Sequence, residues 1–180
     1  MKLKLISIAA FAILAGCEPK TVPLEKVMPP SPVKPSKPKN LVLSSQAVGP
    51  VTFGTTLSEL EISLGQAMRL DEADNPECSF VSFKAVPKVR FMVEKGVITR
   101  AEADAEIANT TGVRVGDTVD QLKQKHADVK VEPHKKKPGG HLLTIAGGSN
   151  TAIVMESDGT KITSVRGGLQ PSVSSYEGCL

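Results

Sequence analysis

Histidine, carboxylate and glycine-pair positions are the side chains of this sequence most able to do chemistry. His134 and His141 flank Lys135-Lys136-Lys137-Pro138-Gly139-Gly140, and His126 stands apart. They have neither the i,i+4 helical spacing nor the accompanying cysteine or carboxylate ligands that a zinc site requires. His134 and His141 therefore read as exposed residues of a solvated hairpin loop. The acidic runs Asp71-Glu72-Ala73-Asp74 and Glu102-Ala103-Asp104-Ala105-Glu106 lack the glycine and alternating ligand frame of a calcium loop and read as solvated faces or turns. Gly139-Gly140, Gly147-Gly148 and Gly167-Gly168 are not followed by a helix start, which a phosphate cradle needs. Gly148-Ser149-Asn150 lacks the second glycine of a nucleophile elbow. The expectation is a protein with no catalytic set, no metal and no cofactor. Lys135, Lys136 and Lys137 keep some functional pull. As a protruding cationic tip they would meet an acidic partner, a lipid headgroup or a cell-wall carboxylate, with binding that weakens as salt rises. A soluble tip that resists edge pairing accounts for them equally well.

Cysteine usage is more informative. Lys2 and Lys4 precede an uncharged, largely apolar run from Leu5 to Ala15, too short to span a bilayer but suited to the core of a secretory signal. The run ends in Leu14-Ala15-Gly16-Cys17, which resembles the lipobox of bacterial lipoproteins. That resemblance implies removal of residues 1–16, acylation of Cys17 with chains such as palmitate, and membrane anchoring. Glu18, where an aspartate would favour the inner membrane, implies the outer membrane, with the folded part in the periplasm. Several acyl chains on one residue hold stably, at about 0.8 kcal/mol per buried methylene. With Cys17 so used, Cys78 and Cys179 are left as an even pair in an oxidising compartment, and a disulfide between them is expected. The alternative is two free thiols; no C-x-x-C motif points to a redox pair.

Residues 17–47 read as the acylated cysteine and its tether. Seven of the thirteen prolines fall here, and PPSPVKPSKPK offers no periodicity from which to build a core. An extended polyproline-like leash of this size would reach roughly 90 Å at about 3.1 Å per residue. It also carries the basic charge. The whole chain is +3, yet residues 48–180 hold 15 basic and 17 acidic side chains, a net of −2. With no Trp and one Tyr as well, neither a nucleic-acid footprint nor a stacking platform is present.

The elements that must carry any site come from an internal repeat. Residues 51–65 align without gaps on residues 113–127, an offset of 62. Each copy has a short alternating strand, a glycine (Gly54, Gly116), a threonine two residues on (Thr56, Thr118), and apolar residues three apart (Leu57 and Leu60; Val119 and Leu122). Both threonines are suited to cap a helix, with Glu59 and Gln121 at capping-box spacing, and Gly65 suits the end of the first helix. Hairpins are expected around Glu94-Lys95-Gly96 and Ser157-Asp158-Gly159, the Asp-Gly pair being a strong tight-turn signal. Residues 101–109 read as strand or irregular.

The module Phe53-Gly54-Thr55-Thr56 followed by an apolar helix ending in Leu64-Gly65 resembles that of the SmpA/OmlA outer-membrane lipoproteins and of the repeats in β-lactamase inhibitor proteins. The second copy departs from it, having His126-Ala127 in place of Leu-Gly. The resemblance implies an α+β domain over residues 48–180, with repeats at about 48–109 and 110–180, in which two short helices pack on an antiparallel sheet built from tandem hairpins. Its functional implication is a protein-interaction or envelope-assembly module with an envelope protein as partner. The alternative is an inhibitor of a periplasmic hydrolase such as a β-lactamase or lysozyme.

Overall fold

The computed structural model describes residues 41–66, 77–148 and 150–179. The chain divides into units 1–34 and 35–180, and all described residues belong to the second. The signal segment, Cys17, nearly all of the tether and the Asp71–Asp74 run lie outside the described residues.

Short strands open the fold: β1 (Val42–Leu43), β2 (Ala47–Val48) and β3 (Val51–Thr52). The domain therefore reaches back to Leu41, into what the sequence assigns to the tether. The apolar triplet Leu41-Val42-Leu43, clear of the last tether proline, places Leu43 fully in the core. Helix α1 (Leu57–Leu64) follows, then β4 (Cys78–Phe83), β5 (Val86–Glu94), β6 (Val97–Ala103) and β7 (Ala108–Asn109). Helix α2 (Val119–Lys125) leads to β8 (Lys130–Pro133), β9 (His141–Ala146), β10 (Thr151–Ser157), β11 (Ile162–Leu169) and a single 3-10 turn, Ser172–Ser174.

These elements form two sheets. The smaller has the order β3-β2-β1-β7, with β1 and β7 parallel, and the larger is fully antiparallel in the order β4-β5-β6-β11-β10-β9-β8. This overturns the expected helix-on-sheet α+β repeat. The helices are only 8 and 7 residues long and contribute Leu60, Val119 and Leu122 to the core. Most burial comes from strands rich in Val, Ile and Phe. The second strands of the two hairpins, β6 and β11, pair with each other, so that hairpins expected in separate repeats fuse into one seven-stranded sheet.

The local module does recur. Thr56 and Thr118 both close complete capping boxes, with Glu59 and Gln121, and Gly65 ends α1 in the left-handed conformation with φ 62°. The Gly54 N–H donates to Ile98 O at 2.8 Å, and the Gly116 N–H to Ile162 O at 2.9 Å. Each helix start is thereby stitched to the hairpin of its own half. Both expected hairpins are present, as β5–β6 and β10–β11.

The large sheet has two unlike faces. Val89, Phe91 and Val93 of β5, Ile98 and Ala101 of β6, and Ile153 and Met155 of β10 turn to the main core, which also takes in Leu43, Val48 and Val51 of the small sheet. The opposite face carries Leu142, Ala152 and Val154 under Val173 and Tyr176, and beyond them a row of charged side chains. The Gly167-Gly168 pair serves close packing. A Cβ on Gly167 would lie 2.5 Å from Ser44 O, and one on Gly168 2.3 Å from Thr99 O.

Candidate functional site

Strand alternation places the charges. On β6, Arg100 and Glu102 flank Ala101 and point away from the main core, and Glu102 is in register with Arg90 of β5 on one side and Arg166 of β11 on the other. A row of arginine, glutamate and arginine thus crosses three adjacent strands. Glu102 pairs with Arg90 at 2.5 Å and with Arg100 at 2.7 Å. Arg166 donates to Glu156 of β10 at 2.6 Å.

Glu156 is the hub of the second half of this network. It receives Arg166 on one oxygen, and Lys137 at 2.7 Å and His134 at 3.1 Å on the other. Burial by itself would raise its pKa; the hydrogen bonds from Lys137, Arg166 and His134 outweigh that and hold the carboxyl down at about 2, from an ordinary 4.5. The backbone N–H groups of Lys136 and Lys137 both donate to His134 Nδ1 at 3.1 Å. That leaves Nε2 to carry the proton that meets Glu156 and fixes the imidazole tautomer.

The C-terminal segment crosses this face as a strap. Arg100 Nη1 donates to three of its carbonyls, Ser172 at 3.0 Å, Ser175 at 3.2 Å and Glu177 at 3.1 Å. Arg166 Nε donates to Val173 O at 2.6 Å, and the Ser172 hydroxyl meets the Glu94 carboxylate. Lys136 pairs with Glu177, and the Cys78–Cys179 disulfide fastens the end of the strap to β4. Burial pushes the Arg100 guanidinium down, Glu102 opposes this, and Arg166 adds to it.

The strap leaves part of the face open. Between it and β4–β5 runs a groove of about 680 Å³, with Phe80, Ser82, Arg90, Ser164, Arg166 and Tyr176 among its walls. Arg90 lies over the Phe80 ring, 4.1 Å from the centroid, and Tyr176 meets His134 edge-on at 4.5 Å. The arrangement has the size of a small-ligand or peptide site, with aromatic surface beside fixed charge.

The sequence-derived candidates fare differently. Cys78 and Cys179 are bonded, across a separation of 101 residues. Lys135, Lys136 and Lys137 are all exposed, but Lys136 and Lys137 are each ion-paired, to Glu177 and Glu156, so the triplet is partly folded down toward the strap. His134 is not an exposed loop residue: it is 8% exposed and bonded on both ring nitrogens. The expectation failed because the hairpin loop curls back over β10, where Glu156 offers a partner. His141 stays half-buried with Nδ1 3.4 Å from the Ser157 hydroxyl, and His126 Nε2 lies 2.9 Å from Thr111 O. Among the described residues, no group of three His, Cys, Asp or Glu side chains is placed to hold a metal. Sequence reasoning missed Arg100, Glu156 and Arg166. The available signal was a charged residue embedded in an otherwise apolar strand, as in Ile98-Thr99-Arg100-Ala101 and Val154-Met155-Glu156.

No family model matches the chain, and no curated protein is similar to it. Among solved structures it is similar to the uncharacterized protein yfeY from Escherichia coli, with 19% sequence identity and a TM-score of 0.46 over 71% of this chain and 99% of that one. Neither finding assigns an activity.

Proposed function

We propose that this protein is a non-enzymatic, lipid-anchored interaction module of the bacterial envelope, held to the outer membrane through Cys17, with its domain in the periplasm and a partner bound in the groove beside the C-terminal strap. The groove carries this reading. Its walls combine aromatic rings with arginines already fixed by carboxylates, a preorganised surface that binds without paying to order its side chains. The lipobox and the proline-rich leash support the anchor, since a tether of that reach lets the groove meet partners well away from the bilayer. The module's resemblance to SmpA/OmlA lipoproteins agrees with an assembly role.

The test is capture of crosslinked envelope proteins with the intact anchored chain and with Ser164→Arg, which fills the groove from β11. Partners recovered by the wild type and lost by the variant support the reading. An unchanged set of partners counts against the groove as the binding face.

A further inference from the structure

The donors around the groove outnumber its free acceptors, and we infer that it is a site for an oxyanion, a carboxylate or phosphate carried on a compact apolar or aromatic body. The inference rests on the groove being the binding face. Two of its three carboxylates are committed: Glu102 to Arg90 and Arg100, and Glu156 to Arg166, Lys137 and His134. Its cations are not used up. The Arg100 and Arg166 side chains are only 3% and 8% exposed, yet Arg100 Nε and Arg166 Nη2 have no hydrogen-bond partner among the described residues. A buried donor left unpaired is destabilising, doubly so on a guanidinium with a second guanidinium close enough to disfavour its charge. Both arginines line the groove, and anionic charge there offsets the repulsion between their guanidinium groups. Both unpaired nitrogens are themselves buried, so direct contacts to the ligand fall to the exposed donors of the groove.

Two further features select the ligand. Arg90 is more than half exposed and has donors left after its bond to Glu102, and Ser82, Ser164 and Tyr176, whose hydroxyls have no hydrogen-bond partner among the described residues, line the groove. Donors without matching acceptors favour an oxyanion over a cation or a neutral amide. Asp104, exposed on the wall, opposes anions; the lining also holds four basic residues, Lys88, Arg90, Arg100 and Arg166, of which Lys88 is paired with Glu106. The rings of Phe80 and Tyr176 provide surface for the body that carries the anion.

The experiment titrates the intact chain in detergent micelles, labelled on arginine nitrogen, with benzoate, phenyl phosphate and benzamide. Saturable shifts of the buried arginine Nε resonances are expected with an anionic probe, and the stronger of the two anions identifies the oxyanion. Neutral benzamide should bind at least about tenfold more weakly, the equivalent of one charge-assisted hydrogen bond. Arg90→Gln, which leaves both buried arginines in place, should weaken anion binding about tenfold, whereas Lys123→Gln on the exposed side of α2 makes the same charge change and should leave it unaltered. No saturable shift, equal binding of benzamide, or equal weakening by both variants overturns the inference. The wider reading fails separately: anion binding in a chain whose Ser164→Arg variant captures the same partners would leave the anion site standing and the partner-binding groove refuted.

Discussion

Glu156→Gln is the most revealing single change, because it removes one charge from a hub where three donors converge. In the wild type the Glu156 carboxylate meets Arg166, whose side chain is 8% exposed, together with Lys137 and the buried His134. The amide is uncharged and keeps one acceptor oxygen, so on one side its NH2 group faces a donor. Removing one partner of a buried ion pair costs about 3–5 kcal/mol; with Arg166 Nε still bonded to Val173 O, the lower end, about 3 kcal/mol, is expected. Part of that loss is pH-dependent. The folded pKa of about 2 lies below the ordinary 4.5, so the contribution is fully present above 4.5 and is lost as pH falls through 2. The displacement corresponds to about 3 kcal/mol at most, and the half-exposed Lys137 screens it to about 2. Urea unfolding followed by circular dichroism is the suitable assay, since the chain has no Trp and urea does not screen charge. The wild type should exceed the variant by about 3 kcal/mol at pH 7, and the gap should shrink by about 2 kcal/mol between pH 6 and pH 2. A gap below about 0.5 kcal/mol at neutral pH, or one that does not change with pH, would refute the hub.

Replacing both Cys78 and Cys179 by serine should cost about 4 kcal/mol, since the bridge closes a separation of 101 residues; reduced wild type should melt with the double variant, and a loss under about 1 kcal/mol would contradict this. Thr56→Ala and Thr118→Ala each remove the side-chain half of a capping box and should each cost about 1 kcal/mol in urea unfolding, with no change in slope. Cys17→Ser should abolish incorporation of labelled palmitate; a variant that still incorporates the label would refute the anchor at Cys17.

Local structure was legible in the sequence wherever one residue type has a strong conformational reason to sit where it does. Thr56, Thr118 and Gly65 marked helix ends, and Glu94-Lys95-Gly96 and Ser157-Asp158-Gly159 marked hairpin turns. The pairing of the halves was not legible. Nothing in Arg100-Ala101-Glu102-Ala103 states that it will lie antiparallel to 165–168, because register across a long loop is decided by which faces the whole sheet must bury. Reading residues 102–106 as a solvated acidic run separated Glu102 from the two arginines that neutralise it. His134 was misjudged for a related reason: a histidine beside three lysines suggests a wet loop until Glu156, 22 residues on, arrives as a partner. The cysteine pair was readable because counting, rather than geometry, identified it.

A photo-crosslinking amino acid introduced at Ser82, on the wall of the groove, and separately at Lys123 on α2 tests the central claim most directly in cells that carry the intact anchored chain. The account predicts a discrete crosslinked envelope adduct from position 82, weakened when Arg90→Gln is combined with it, and none from position 123. Adducts of the same kind from both positions, or from position 123 alone, would contradict it.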